Sequence, residues 1–171
     1  QSTDAHGLRL NIREIDLREM LEASAQPDRW NRQTDKQVDI QVDFRPENPV
    51  ITGDDHFLFA VFQNFIDNAF KYSGKQVKIQ ITEPDTRHLQ VRIKDNGFGI
   101  SSKNLKHVFE RYHRGDQQDN RKIKGHGQGL YYARTVILAH GGEIGIESEE
   151  GKGTTVIVTL ARESHIKKKY K

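Results

Sequence analysis

Asn64, Asn68 and Lys71 fall at i, i+4 and i+7 of a segment whose apolar residues have helical spacing. At about 100° per residue they form one narrow stripe, roughly 100° round from the centre of the phenylalanine-rich face. Asparagine costs roughly half a kcal/mol in a helix interior. Two of them stacked on one face suggest a use for their amide oxygens. A neutral oxygen suits Mg²⁺, which keeps several waters and takes other oxygens from phosphates. Lys71, on the same stripe, would then face phosphate charge. A solvated polar face is the alternative for this helix taken alone.

Three glycine patterns add to the stripe. Asp95-Asn96-Gly97-Phe98-Gly99-Ile100 ends an alternating strand. Asn-Gly after alternation is a strong hairpin signal, but Ser101-Ser102-Lys103-Asn104-Leu105 reads as a helix start, not a returning strand. Glycines at 97 and 99 let backbone approach a flat ligand, and a carboxylate at a strand end can accept from an exocyclic amine. Gly125-His126-Gly127-Gln128-Gly129-Leu130 leads into a helix, where free backbone amides suit phosphate. It is not the dinucleotide fingerprint, because its third glycine falls one residue early and no parallel βαβ unit surrounds it. No Gly-Lys-Ser/Thr occurs, which excludes a P-loop. Gly151-Lys152-Gly153-Thr154-Thr155, alone, reads as a hairpin turn.

The elements that must carry these residues follow from periodicity. Alternation over 8–15 predicts a strand, and Asp16-Leu17-Arg18-Glu19 has capping-box spacing for a helix burying Leu17, Met20 and Leu21. Pro27-Asp28 interrupts or restarts that helix. Val38, Ile40, Val42 and Phe44 alternate, giving a second strand before Pro46, and Val50-Ile51-Thr52 is a short extended piece. Asp54 or Asp55 caps the longest helix, roughly 56–72, with Leu58, Val61, Phe62, Phe65, Ala69 and Tyr72 on its core side. Strands follow near 77–82 and 89–95, then a short helix near 102–108. A helix from about 130 to 140 stops at Gly141-Gly142, and strands occupy 143–148 and 154–160. This order is α+β, with helices over one face of a mixed sheet. The stretch 96–129, rich in Gly, Asn, Asp and Gln, is long enough for a functional loop.

Composition bounds the rest. The 171 residues fit one domain, 34% hydrophobic and 30% charged, and contain no cysteine. Disulfides, zinc–thiolate sites and thiol chemistry are therefore excluded. Lys and Arg number 27 against 24 Asp and Glu, a formal charge of +3. Arg162, Lys167, Lys168, Lys169 and Lys171 against Glu163 carry that excess, so the body is near neutral and no basic face for nucleic acid is expected. No apolar run approaches the length of a membrane span, and the polar start has no secretory pattern. The expected division is a domain over 1–161 and a basic tail over 162–171.

In this order and spacing the patterns resemble the ATP-binding catalytic domain of bacterial sensor histidine kinases, relatives of the gyrase, heat-shock 90 and mismatch-repair ATPases. Asn64-Phe65-Ile66-Asp67-Asn68-Ala69-Phe70-Lys71-Tyr72-Ser73 resembles the N box, and Asp95 to Ile100 the first glycine box. Val108-Phe109-Glu110-Arg111-Tyr112-His113-Arg114 resembles the phenylalanine box, and the two later glycine patterns the second and third glycine boxes. The resemblance implies a two-layer α/β sandwich of Bergerat type, with a mixed sheet of about five strands under about three helices. ATP would lie between the long helix and a lid over 109–128. It implies Asn68 for Mg²⁺, with Asn64, Lys71 and Tyr72 beside the phosphates. Asp95 would take the adenine amino group, and Gly97, Gly99, Ile100 and Thr154 would shape that pocket. Phe109 would anchor the lid, Arg114 would reach the γ-phosphate (Arg121 and Lys122 being further candidates), and Gly125, Gly127, Gly129 and Leu130 would form hinge and phosphate-facing backbone.

Asn64 stands where the hydrolysing ATPases and anti-sigma serine kinases of the superfamily place Glu. An amide is no general base, so fast intrinsic hydrolysis is not expected. None of the eight histidines precedes Asp or Glu, as the family's phosphoacceptor does. The expectation is a cytoplasmic, monomeric catalytic module that does not phosphorylate itself. It would transfer to a histidine on a separate dimerisation domain, with a response regulator downstream; many parent kinases of the family are anchored in the inner membrane, and the sequence leaves that point open for this one. Gln128 and Tyr131 replace an aliphatic and a small residue of the family pattern. They leave a degenerate nucleotide-binding interaction module, or a serine kinase or ATPase of the superfamily, as alternatives.

Overall fold

The computed structural model describes residues 2–3, 7–26, 37, 39–72, 75–110 and 126–163, without the side chains of 2, 3 and 126–128. The elements in chain order are β1 (Ser2–Thr3), β2 (Arg9–Leu10), β3 (Arg13–Asp16), α1 (Leu17–Ser24), β4 (Asp39–Phe44), β5 (Val50–Gly53) and α2 (Asp55–Tyr72). They continue as β6 (Gln76–Asp85), β7 (His88–Asp95), α3 (Ser102–Leu105), α4 (His126–Ala139), β8 (Glu143–Glu149) and β9 (Gly153–Ala161).

The main sheet has five strands in the order β4-β6-β7-β9-β8. It is mixed: β4 runs parallel to β6, and every other pairing is antiparallel. Val77, Ile79 and Ile81 on β6, Leu89, Val91 and Ile93 on β7, and Val158 and Leu160 on β9 are all buried. Their neighbours Lys78, Gln80, Arg92, Lys94, Thr155 and Thr159 occupy the other face. This alternation is what an antiparallel sheet with one solvated side requires. Pro84 falls past Thr82, where the β6–β7 register shifts, so no ladder hydrogen bond is asked of it.

Helices α1, α2 and α4 cover the apolar face. Asp16 caps α1 by accepting from the Glu19 N–H at 3.1 Å, while Leu17, Met20 and Leu21 are buried as their spacing demands. Of the two candidate caps for α2 it is Asp54 that acts, accepting from the Phe57 N–H at 3.1 Å. Phe62 and Phe65 on α2 are buried, each a burial of roughly 1.5–3 kcal/mol. At its other end α4 stops because Gly141 takes φ +70°. Gly141 and Gly142 then donate to the carbonyls of Leu138 and Ile137, a Schellman closure.

Several expected boundaries move. The strand expected over 8–15 is split: β2 pairs with β1, and β3 pairs with β5 in a separate two-stranded sheet. The short helix ends at Leu105 instead of 108. The last helix starts at His126, about four residues early, so Gly127 and Gly129 lie within its first turn. Glycine is a poor helix former, but the Gly127 N–H is one of the first four, which need no intrahelical acceptor. Pro27 lies outside the described residues. Arg162, placed in the tail by its charge, is held in the fold: its N–H donates to the Arg87 carbonyl, its own carbonyl accepts from Thr52, and its guanidinium reaches Asn48 and Glu83.

One polar cluster locks α4 to α2. His140 is buried; its Nδ1 lies 2.7 Å from the Val136 carbonyl and its Nε2 accepts from the Asp54 N–H at 3.0 Å. A carbonyl can only accept, so Nδ1 carries the proton. Asp54, also buried, takes the Asn11 N–H on Oδ2 at 2.8 Å. Replacing His140 by Ala leaves the Asp54 N–H without its acceptor and opens a cavity. The expected loss is about 2–4 kcal/mol in urea unfolding; a loss under about 1 kcal/mol would assign the cluster no such role.

Candidate functional site

The sheet register builds the centre of the site. Lys94 pairs with Thr155, so one step further Asp95 comes opposite Thr154 on the helix-facing side. In the same row Thr154 pairs with Ser148 on β8, and Asp95 pairs with Val77 on β6. The buried rows of the sheet thus end, at this edge, in a polar row of Asp95, Thr154 and Ser148.

Asp95 is oriented by its own turn. Its Oδ1 accepts from the Gly97 N–H at 2.9 Å and from the Thr154 N–H at 3.3 Å. Its Oδ2 has no hydrogen bond among the described residues and is available to a ligand donor. Burial pushes the Asp95 carboxyl above the usual range, against the smaller opposing effect of those two backbone bonds. A raised pKa means that the empty fold favours the neutral acid. That contribution to stability is full below the unfolded value and is lost as pH rises through the folded one. A bound amine instead selects the carboxylate. If Asp95 takes the adenine amino group, as the resemblance implies, affinity for ADP relative to IDP should fall as pH drops, setting in above the ordinary Asp value of 3.8. Calorimetric titration over a pH series checks this, IDP controlling for titration of the phosphates; a ratio flat to about pH 4 would contradict it.

The glycines are placed by close backbone approach. A Cβ on Gly97 would lie 1.7 Å from the Tyr72 carbonyl oxygen, and one on Gly153 2.1 Å from that of Asp95. Gly99, at φ +70°, faces the Glu149 carbonyl. The Asp95–Ile100 turn is thereby pressed between the C-terminus of α2 and the β8–β9 turn. Ile100 is fixed by its N–H donating to Ser148 Oγ at 2.7 Å.

Midway along α2, about two turns before Tyr72, Asn64 packs on α4. A Cβ on Gly129 would come within 2.7 Å of Asn64 Nδ2, so the glycine is what lets the helix N-terminus approach the asparagine. Asn68 is half-buried between these contacts, and Lys71 is exposed with its Nζ 5.3 Å from the centre of the Tyr72 ring. The stripe from Asn64 to Tyr72 covers about 12 Å of helix. It joins the α4 N-terminus to the Asp95 turn. Leu130 is buried beside Gly129. Phe109 is partly buried against the core, with the Arg134 guanidinium 5.6 Å from its ring centre.

The structure thus brings Tyr72, Asp95, Gly97, Gly99, Ile100 and Thr154 together at one end of the sheet, with Asn64 and Gly129 in contact between α2 and α4. Gly127 lies in the first turn of α4. Arg114, Arg121, Lys122 and Gly125 lie outside the described residues, as does most of the expected lid. Tyr131 is exposed, and of Gln128 only the backbone is described. Ser148 was missed from the sequence, because a lone serine in a strand carries no pattern. Among the described residues no group of three His, Asp or Glu side chains could hold a metal ion alone. Among the described residues no helix is long and apolar enough to cross a membrane.

Residues 53–164 match the family model described as histidine kinase-, DNA gyrase B-, and HSP90-like ATPase. The chain is 35% identical over 136 residues to the sensor histidine kinase WalK of Bacillus subtilis (strain 168), covering 78% of this chain and 22% of that protein. With the sensor histidine kinase YkoH of the same organism it shares 30% identity over 158 residues, 92% of this chain and 34% of the other. It therefore spans about a fifth to a third of these curated relatives' length. Among solved structures, the mycobacterial sensor histidine kinase MprB matches at a TM-score of 0.74 and 26% identity, covering 90% of this chain and 99% of that one. The catalytic domain of histidine kinase ThkA shares the fold at a TM-score of 0.75 and 20% identity, over 92% and 99% of the two chains. The matched span contains α2, the Asp95 turn, α4 and the β8–β9 turn, and on that ground the chain belongs to the histidine kinase-, DNA gyrase B-, and HSP90-like ATPase family, with the catalytic-domain fold of the sensor histidine kinases.

Proposed function

We propose that this chain is the module that binds Mg-ATP in a two-component sensor kinase and donates the γ-phosphoryl group to a histidine on the parent's dimerisation and phosphoacceptor domain. The observation that carries the reading is the α2 stripe, which links an acceptor for a base amine at one end to a glycine-lined helix N-terminus at the other. Asp95 Oδ2 accepts the amine, with Gly97, Gly99, Ile100 and Thr154 around the ring. Asn64, Lys71 and Tyr72 face the phosphates. The amide at Gly127, among the first of α4, suits an anion at a helix start, and Gly129 and Leu130 keep the phosphate-facing place that the resemblance gives them. Phe109 holds the chain where the lid begins, and Arg114 and Gly125 keep the roles that the resemblance gives them.

The donor set fits Mg²⁺ only together with phosphate. Asn68 offers one neutral oxygen, and no carboxylate cluster among the described residues stands beside it, so most of the coordination falls to phosphate and water. When bound, the ion neutralises charge on the transferring phosphoryl group. The protein's part is to align donor and acceptor, since Asn64 cannot take a proton from water. The acceptor is a histidine of the separate domain, with a response regulator receiving the group afterwards.

Titration with Mg-ADP tests the reading. Wild type should bind, Asn68→Ala should bind with an affinity that no longer responds to Mg²⁺, and Mg²⁺ without nucleotide should give no heat of binding. Mixing with ATP and the parent's phosphoacceptor hairpin should give acid-labile phosphohistidine on the hairpin. Nucleotide binding without transfer would leave an interaction module as the better reading.

A further inference from the structure

Ser148 Oγ has three polar neighbours, and together they settle where its single proton goes. The Ile100 N–H, 2.7 Å away, can only donate. The Gly153 carbonyl, 3.0 Å away, can only accept. The Thr154 hydroxyl, 2.8 Å away, can do either. Ser148 has one proton and two lone pairs. Only one arrangement makes all three contacts hydrogen bonds. The Ser148 proton goes to Gly153, one lone pair accepts from Ile100, and the other accepts the Thr154 proton. Thr154 Oγ1 is then left with lone pairs alone.

Asp95 stands beside Thr154 in the same sheet row, and Asp95 Oδ2 is likewise an acceptor. Side chains opposite one another on adjacent strands are about 4.5–5.5 Å apart at Cβ, close enough for both to reach one exocyclic group. We propose that Ser148 is a positioning residue for base recognition, fixing the Thr154 hydroxyl as an acceptor so that Asp95 and Thr154 together select a 6-amino over a 6-oxo purine. The proposal rests on the nucleotide-binding reading above. An exocyclic amine supplies two N–H donors to two acceptors. A 6-oxo group supplies only lone pairs, which both acceptors repel. Without Ser148 the Thr154 hydroxyl is free to turn and donate, and a 6-oxo group gains a partner.

The test measures Mg-ADP and Mg-IDP affinities of the whole chain by calorimetry, with thermal melts confirming that each variant folds. Ser148→Ala should lower the ADP-to-IDP affinity ratio by about tenfold, the scale of one hydrogen bond at a partly buried site. Ser148→Thr, which keeps one hydroxyl proton in a strand, should restore the ratio. In a Thr154→Val background, Ser148→Ala should leave the ratio where Thr154→Val alone puts it, because Ser148 acts through that hydroxyl. If Ser148→Ala does not fold, Ser148→Cys reads the same ratio with a weaker donor and acceptor. Equal weakening of both nucleotides would reduce Ser148 to a structural role and overturn the proposal while nucleotide binding stands. Wild-type protein that binds neither nucleotide at millimolar concentration would overturn the nucleotide reading and this proposal with it.

Discussion

Asp95→Asn should leave the protein folded and abolish its preference for adenine, with ADP bound about 100-fold more weakly or worse. The direction follows from which oxygen is already engaged. Oδ1 accepts from the Gly97 and Thr154 N–H groups, so the amide oxygen of the variant must take that position. Its NH₂ then stands where Oδ2 was and presents donors to a base amine that also donates. A hydrogen bond to a charged group contributes about 1.5–3 kcal/mol, and 3 kcal/mol is a factor of roughly 150 in affinity. The same NH₂ suits a 6-oxo purine, so IDP should lose far less than ADP. Stability should not fall, because burial disfavours the ionised carboxyl in the empty fold and the amide carries no charge to desolvate. Calorimetric titration beside a thermal melt separates the two effects. An unfolded variant, or equal loss of ADP and IDP, would mean that Asp95 serves the turn and not the ligand.

The parts legible in the sequence are those where one element satisfies one period. The phenylalanines and aliphatics of α2 predict its buried face, and the polar stripe stands off it as its spacing demands. The alternation in β6, β7 and β9 predicts the core rows, because each strand has one apolar side. Parts that depend on a distant partner were less legible. The 8–15 segment alternates throughout, yet β3 pairs with β5 in its own sheet, and no local signal separates that from joining the main one. The glycines of the first turn of α4 carry no local helix signal, whereas the close approach to Asn64 needs glycine inside that turn. His140 and Ser148 act through hydrogen bonds to backbone groups far away in sequence, and neither carries a motif. The α2 stripe and the Asp95 turn could thus be placed from spacing, and the residues that hold them in position could not.

Gly97 and Gly129 predict opposite outcomes for the same substitution. At Gly97 an alanine Cβ would lie 1.7 Å from the Tyr72 carbonyl oxygen and 2.6 Å from its carbon. Both are backbone atoms at the end of an 18-residue helix, so relief requires the Asp95 turn and α2 to separate. Strain of this kind exceeds the 1–3 kcal/mol typical of overpacking, a large share of the roughly 5–15 kcal/mol by which domains are stable. Gly97→Ala should therefore unfold in much lower urea or fail to accumulate as folded protein. At Gly129 the nearest atom, 2.7 Å away, is Nδ2 of Asn64, the end of a side chain that can rotate aside. Alanine there also gains about 1 kcal/mol of helix propensity. Gly129→Ala should melt at or above the wild-type temperature and yet bind Mg-ADP more weakly, because the displaced Asn64 and the added methyl both intrude where phosphate would meet the α4 amides. Urea unfolding and Mg-ADP titration of the two variants read both outcomes. A Gly129→Ala protein with wild-type affinity would remove the Asn64–α4 contact from the site, and a stable Gly97→Ala protein would mean that the Asp95 turn is not pressed on α2.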